Sequence, residues 1–113
     1  PPMILVCIDN AASAAPVLAH CEYLAVNILA EGQEALSRRF AEREIDRFDG
    51  VALTRGETGV ALLDGTLASL ECAVTARHPG GDHTILVAEV RGAALREGNP
   101  LLYYRGAYRT LGT

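Results

Sequence analysis

Residues 68–94 read Ala68-Ser-Leu-Glu-Cys-Ala-Val-Thr-Ala-Arg-His-Pro-Gly-Gly-Asp-His-Thr-Ile-Leu-Val-Ala-Glu-Val-Arg-Gly-Ala-Ala94. Ala68, Leu70, Cys72, Val74 and Ala76 recur at every second position, while Ser69, Glu71, Thr75 and Arg77 fall mostly between them. Strand side chains point alternately to the two faces of a sheet, so this pattern predicts a half-buried strand. Pro79-Gly80-Gly81-Asp82 has the residues a chain reversal needs, and His83 to Ala94 reads as a second long strand, which makes the pair a hairpin. Gly98-Asn99-Pro100 is another turn, and Leu101 to Leu111 reads as one last strand.

Upstream, Met3-Ile-Leu-Val-Cys-Ile8 is a continuous β-prone run closed by Asp9-Asn10, the pattern of a strand buried on both faces. Ser13 is placed to cap a helix whose first turn accepts Pro16, with Ala14, Val17, Leu18 and Cys21 on one stripe and His20 facing away. Tyr23 to Leu29 reads as a strand and Gln33 to Ala41 as a second helix. Leu36 and Phe40 lie on that helix's buried side, and Glu34 is spaced to pair with Arg38. From Arg43 to Gly65 periodicity fades and glycine and charge accumulate, so a long surface excursion is expected, closing at the Leu63-Asp64-Gly65 turn. At least five strands and two helices, with the strands gathered toward the end, predict a mainly β fold: an antiparallel β-barrel or closed sheet with two α-helices packed outside.

At 113 residues the chain has room for one domain and one core. Half its residues are apolar and 21% are charged, which excludes a disordered chain. Its ten basic residues, all arginine, stand against fourteen acids with no basic block, so nucleic acid is not an expected partner. The longest apolar run, Met3 to Ile8, is far short of the roughly 20 residues that span a bilayer, and no membrane association is expected. Cys7, Cys21 and Cys72 are odd in number and widely spaced, which argues against a disulfide framework and for a reducing cytoplasm. With His20 and His78 they form no recognisable ligand set, and no metal is expected. The chain opens on Pro1-Pro2 and passes directly into an apolar strand, which suggests a missing N-terminal segment.

General catalytic motifs are absent. Four strings carry a more specific signal: Ala25-Val-Asn-Ile-Leu-Ala-Glu-Gly-Gln33 followed by Leu36-Ser-Arg-Arg-Phe-Ala41, then Gly81-Asp-His83, then Leu101-Leu-Tyr-Tyr-Arg-Gly-Ala-Tyr108. In this order and spacing they resemble the flavin reductase-like, FMN-binding split-barrel family. The likeness runs from Pro1 to about Leu111 and is strongest to the small NAD(P)H:flavin oxidoreductases that serve two-component monooxygenases. The resemblance implies a single flavin reductase-like domain over residues 1–113, N-terminally incomplete because the family's usual first strand and Ser/Thr-rich loop are absent. It also implies a six-stranded split barrel, usually a homodimer, that binds FMN or FAD and passes hydride to it from NADH or NADPH.

By the same resemblance His83 contacts the nicotinamide as the catalytic-site residue. A neutral imidazole can hydrogen-bond a carboxamide without placing a fixed charge beside the hydride donor; the other reading is a turn histidine bonded to Asp82 or to backbone. Tyr104, Arg105 and Gly106 are nicotinamide-nucleotide candidates, because arginine offers a fork to pyrophosphate and glycine allows close approach. An ordinary strand with a surface arginine fits the same residues. For the flavin, Ser13 at a helix start and Asn10 in the same loop are candidates for its phosphate. Arg39 and Phe40 stand where the family places flavin contacts, with a solvated charge and a core aromatic as the plain alternative. Asn27, polar within an apolar strand, needs a partner and fits a backbone-satisfying role better than a flavin contact. Pro2 borders the flavin by analogy, though any strand-starting proline could stand there. The competing functions are a split-barrel module that holds flavin without turnover and a degenerate structural domain.

Overall fold

The structure, a computed structural model, describes residues 1–42 and 46–112. Ten elements follow one another: β1 (Met3–Asp9), α1 (Ala15–Leu18), β2 (Tyr23–Ile28), α2 (Glu34–Ala41), β3 (Leu53–Arg55), β4 (Ala61–Leu63), β5 (Ala68–Gly80), β6 (His83–Leu95), β7 (Leu102–Tyr104) and β8 (Ala107–Arg109). The hairpin read from residues 68–94 is the spine. β5 and β6 pair antiparallel along their whole length and are flanked by β2 and β1, giving the order β1-β6-β5-β2. Bulges at Glu71/Cys72 and Val74/Ala76 interrupt the register. Each extra residue bends its strand and increases the local twist, so the sheet curls into a half-barrel.

The concave face carries the core. Leu24 opposite Cys72, Ile4 opposite Ala88 and Val6 opposite Leu86 place apolar side chains on one side. Leu24, Cys72, Leu86 and Ala88 are buried there, with Ile8, Leu18, Val26 and Val90 packed against them. Burial pushes the Cys72 thiol pKa up.

Several sequence expectations are corrected. β1 is not buried on both faces: among the described residues it is an edge strand paired with β6, Ile4 and Ile8 pack on the core, and Met3, Leu5 and Cys7 on the other face are exposed. A run of apolar residues does not reveal whether its second face is covered. The first helix is a single turn with Ala14 at its N-cap and no side-chain cap; the Ser13 hydroxyl instead accepts a hydrogen bond from Arg47. The excursion expected from Arg43 to Gly65 contains the β3–β4 hairpin, closed by a turn with Gly59 at φ +89°; its first part, residues 43–45, lies outside the described residues. The last strand is two short ones. Arg105 and Gly106 have φ of +52° and +77° and reverse the chain in two residues, the primed-turn geometry that suits a hairpin's twist. Pro79 belongs to β5, not to the turn. It lies beyond the stretch of β5 that β2 covers, where a missing N–H costs no ladder bond.

Candidate functional site

A cavity of about 510 Å³ opens between β2, the end of α2, α1 and the β3–β4 hairpin, within the usual range for small-molecule sites, roughly 300–1,000 Å³. Leu18, Leu24, Leu63, Phe40 and Phe48 make its walls apolar, Asn27 lies on its sheet side, and Arg55 is the arginine among its lining residues.

Two groups of side chains build this cavity. Arg39 donates to the carbonyls of Asp46, Arg47 and Asp49. One guanidinium thus folds the loop back onto α2, so that Phe48 meets Phe40 edge to face at 5.1 Å. Arg47 extends the brace by donating to the Glu42 carbonyl and the Ser13 hydroxyl, both at 2.6 Å.

The second group fastens the β3–β4 hairpin to the sheet. Asn27 donates from Nδ2 to the Ala61 carbonyl at 3.2 Å, and its Oδ1 accepts from the Leu63 N–H and the Ser69 hydroxyl, both at 3.0 Å. Ser69 and Thr66, both buried, share a further hydrogen bond. At the hairpin's turn the Glu71 carboxylate accepts the Thr58 N–H at 2.7 Å and the Thr58 hydroxyl. These donors, the hydroxyl first, hold the Glu71 carboxyl below its ordinary pKa. A Cβ on Gly56 would meet this carboxylate, so a larger residue beneath the turn would displace the Glu71 side chain.

A smaller cavity of about 340 Å³ lies on the other side of Leu18, lined by Ile8, Asn10, Arg77, Thr84 and Leu86 among others. Arg77 closes it by donating to the Leu18 and Cys21 carbonyls at the end of α1. Asn10 ties β1 to the β5–β6 turn: its N–H donates to the Asp82 carbonyl at 2.9 Å and its Oδ1 accepts from the Thr84 hydroxyl at 2.7 Å. His83, half-exposed beside it, holds Asp82 Oδ1 at 2.8 Å from its Nδ1, which lowers the Asp82 pKa through the hydrogen bond and the charge of the ring. Its Nε2 makes no hydrogen bond to the described residues.

The cavities therefore gather some of the sequence candidates and separate others. Asn27 and Phe40 line the larger one, and Arg39 stands behind Phe40 holding the wall. Asn10 lines the smaller one. Ser13 lines neither and reaches the Phe48 loop through Arg47. Pro2 is at the far end of β1, its carbonyl accepting from Val90 N–H. Tyr104, Arg105 and Gly106 are on the β7–β8 hairpin beside α2, where Tyr108 bonds Ser37 at 2.8 Å and carries Arg38 over its ring at 4.8 Å. No hydrogen bond or cavity among the described residues joins these three to His83. The expected Glu34–Arg38 pair forms at 2.9 Å. Sequence reading missed Phe48, Arg55, Thr58 and Glu71; the Gly56-Glu-Thr-Gly59 turn before Val60-Ala-Leu-Leu63 was the available signal.

Among the described residues no group of three or more His, Cys, Asp or Glu could hold a metal ion, and no helix among them is long and apolar enough to cross a membrane.

The sequence pattern of the family described as "Flavin reductase like domain" matches residues 1–112. The chain belongs to this family. It is 40% identical over 104 residues to the "Actinorhodin polyketide dimerase" of Streptomyces coelicolor, covering 91% of this chain and 59% of that protein. It is 35% identical to the "Flavin-dependent monooxygenase, reductase subunit HsaB" of Rhodococcus jostii, covering 96% and 56%. Thus the chain spans less than two thirds of the length of both relatives. Among solved structures, the "NADH:FAD oxidoreductase SgcE6" of Streptomyces globisporus superposes with a TM-score of 0.90 at 36% identity, covering 99% of this chain and 70% of that one. The family's split barrel is the fold observed here.

The larger cavity suits a flavin. An isoalloxazine is flat and apolar on its faces, which the Phe40 and Phe48 rings and the leucines can cover, and a ribityl phosphate needs a cation, which Arg55 can supply.

Proposed function

We propose that the protein is an NAD(P)H-dependent flavin reductase that binds FMN or FAD in the larger cavity and supplies reduced flavin to a partner monooxygenase. The cavity closed by the Phe40–Phe48 pair carries this reading. The relatives add support, since one is named a monooxygenase reductase subunit and another an NADH:FAD oxidoreductase.

Bound flavin supplies the redox chemistry, accepting hydride from a nicotinamide ring. The chain's own residues hold and shield it. Phe40, Phe48 and the leucines exclude water from the ring faces, and Arg39 keeps Phe48 in place through the loop carbonyls. His83 is the residue proposed to meet the nicotinamide. With Nδ1 engaged by Asp82, Nε2 is the ring nitrogen left to meet a carboxamide. Asn10 and Thr84 steady the turn that carries it. Arg105, at the tip of the β7–β8 turn with Tyr104 and Gly106, is proposed for the nucleotide's phosphates, supported by its exposure.

Residues 1–113 are read as one flavin reductase-like domain, supported by a single main sheet and core. A homodimer is proposed because β1 leaves one edge unpaired and Leu5 66% exposed. A cytoplasmic location accords with three unpaired cysteines.

Anaerobic addition of NADH to the flavin-loaded protein tests the function. Bleaching of the flavin absorbance at a rate that depends on protein supports it. Bound flavin that stays yellow selects the holding module instead.

A further inference from the structure

Among the described residues the β3–β4 hairpin pairs with no other strand, and a lone two-stranded hairpin is marginally stable in water. Its position rests on the two side-chain anchors already described. Asn27 holds β4 at both ends, at Ala61 and Leu63. Glu71 fixes the tip, at Thr58. Arg55, the last residue of β3, leaves the strand at that tip. One of its nitrogens, Nη1, donates to the Gly59 carbonyl across the turn, while Nε and Nη2 make no hydrogen bond to the described residues.

The sheet is shaped to present Glu71 there. Strand alternation sends Cys72 into the core and Glu71 to the opposite face, with Ala25 and Gly92 as its small cross-strand neighbours. Gly56 leaves the space that the carboxylate fills. No ion pair engages Glu71 among the described residues, so its binding partners are the neutral groups of one turn. A half-buried carboxylate mid-strand, served by a glycine-made niche, is a costly way to satisfy a threonine. It becomes intelligible if the turn must be held in one place.

We propose that Glu71 is a positioning residue: through Thr58 it holds the tip of the β3–β4 hairpin so that Arg55 meets the phosphate of a flavin in the larger cavity. The proposal rests on the reading of that cavity as a flavin site and adds to it the cation, the element that carries it and the latch that places it. Discrimination between phosphorylated and unphosphorylated flavin then depends on a residue that touches neither.

Equilibrium titrations with FMN and with riboflavin, on the full chain, test it. Wild type should prefer FMN by about tenfold or more, the scale of one charge-assisted hydrogen bond. Arg55→Ala should abolish most of that preference and leave riboflavin affinity within about threefold. Glu71→Ala should lose the preference to the same extent, the double variant should be no worse than either single one, and Glu71→Gln should restore it because an amide oxygen can accept both Thr58 donors. Thr58→Val, which keeps the backbone donor, should show a partial loss, and it serves if Glu71→Ala fails to fold. Amide exchange should rise at residues 56–60 in Glu71→Ala and stay unchanged along 84–94, separating an unlatched tip from general loosening. An intact FMN preference in a folded Glu71→Ala protein overturns the latch alone, whereas a wild type that binds neither flavin overturns the cavity reading and the latch together.

Discussion

Asn27→Ala should be the most damaging single truncation outside the apolar core. The substitution strands three groups at once. Leu63 N–H, on a residue 8% exposed, loses its acceptor; the Ala61 carbonyl loses its donor; and the Ser69 hydroxyl, on a residue 7% exposed, keeps only Thr66. A typical intramolecular hydrogen bond is worth about 1 kcal/mol net, and a buried donor left unpaired costs about 1–3 kcal/mol. Water can reach the Ala61 side, so the sum is about 3 kcal/mol, a large share of the roughly 5–15 kcal/mol that stabilises a domain. At about 4 °C per kcal/mol for a chain of this size, the midpoint of thermal unfolding followed by circular dichroism should fall by roughly 10–15 °C. Asn27→Asp should recover part of the loss, because Oδ1 still accepts from Leu63 and Ser69. A fall in stability below about 1 kcal/mol for Asn27→Ala would refute the claim that this side chain, not the hairpin's own pairing, attaches β3–β4 to the sheet.

His83→Ala should lower kcat/KM for NADH by about five- to thirtyfold, the equivalent of one lost hydrogen bond of about 1–2 kcal/mol, while flavin affinity stays nearly constant; unchanged NADH kinetics with weakened flavin binding would place His83 on the wrong side of the site. The depressed pKa of Glu71 makes a signed prediction about acid. A carboxyl whose folded pKa lies below its unfolded one stabilises at pH above the unfolded value, and that part is lost as pH falls through the folded pKa. Urea midpoints of wild type and Glu71→Gln should therefore differ at neutral pH and converge in acid below the ordinary glutamate range; a gap that widens in acid contradicts the assignment. Light scattering at micromolar concentration should return the mass of a dimer, and a monomer mass counts against the pairing proposed for the β1 edge.

The spine of the fold was legible because Ala68 to Arg77 alternates in sequence and the β-prone run of β6 follows Gly81-Asp82, a turn whose first residue has a positive φ of +69°. β1 was found in place but misjudged in burial, since Leu5 is as apolar as Ile4 and only the sheet face distinguishes them, Ile4 packing on the core and Leu5 standing on the exposed side. The β3–β4 hairpin was invisible for a different reason. It is held by Asn27 and Glu71, which are distant in sequence from the residues they bind, so no local periodicity records its attachment. The same holds at the cavity. Phe40 and Asn27 could be singled out as residues, but Phe48 joins them only because Arg39 gathers three carbonyls of a loop with no pattern of its own. Ser13 showed the opposite failure: good capping chemistry, but a helix too short to use it and an arginine thirty-four residues away that does.

The location of the flavin is tested most directly by titrating isotopically labelled protein with FMN and following backbone amide resonances. If the larger cavity holds the ring, the largest shifts fall on Ala25, Phe40, Phe48 and Val60, which line it, and Phe48→Ala reduces the affinity. Shifts confined to residues 3–9 or to 102–109, with Phe48→Ala binding as wild type does, would place the flavin elsewhere and contradict the account.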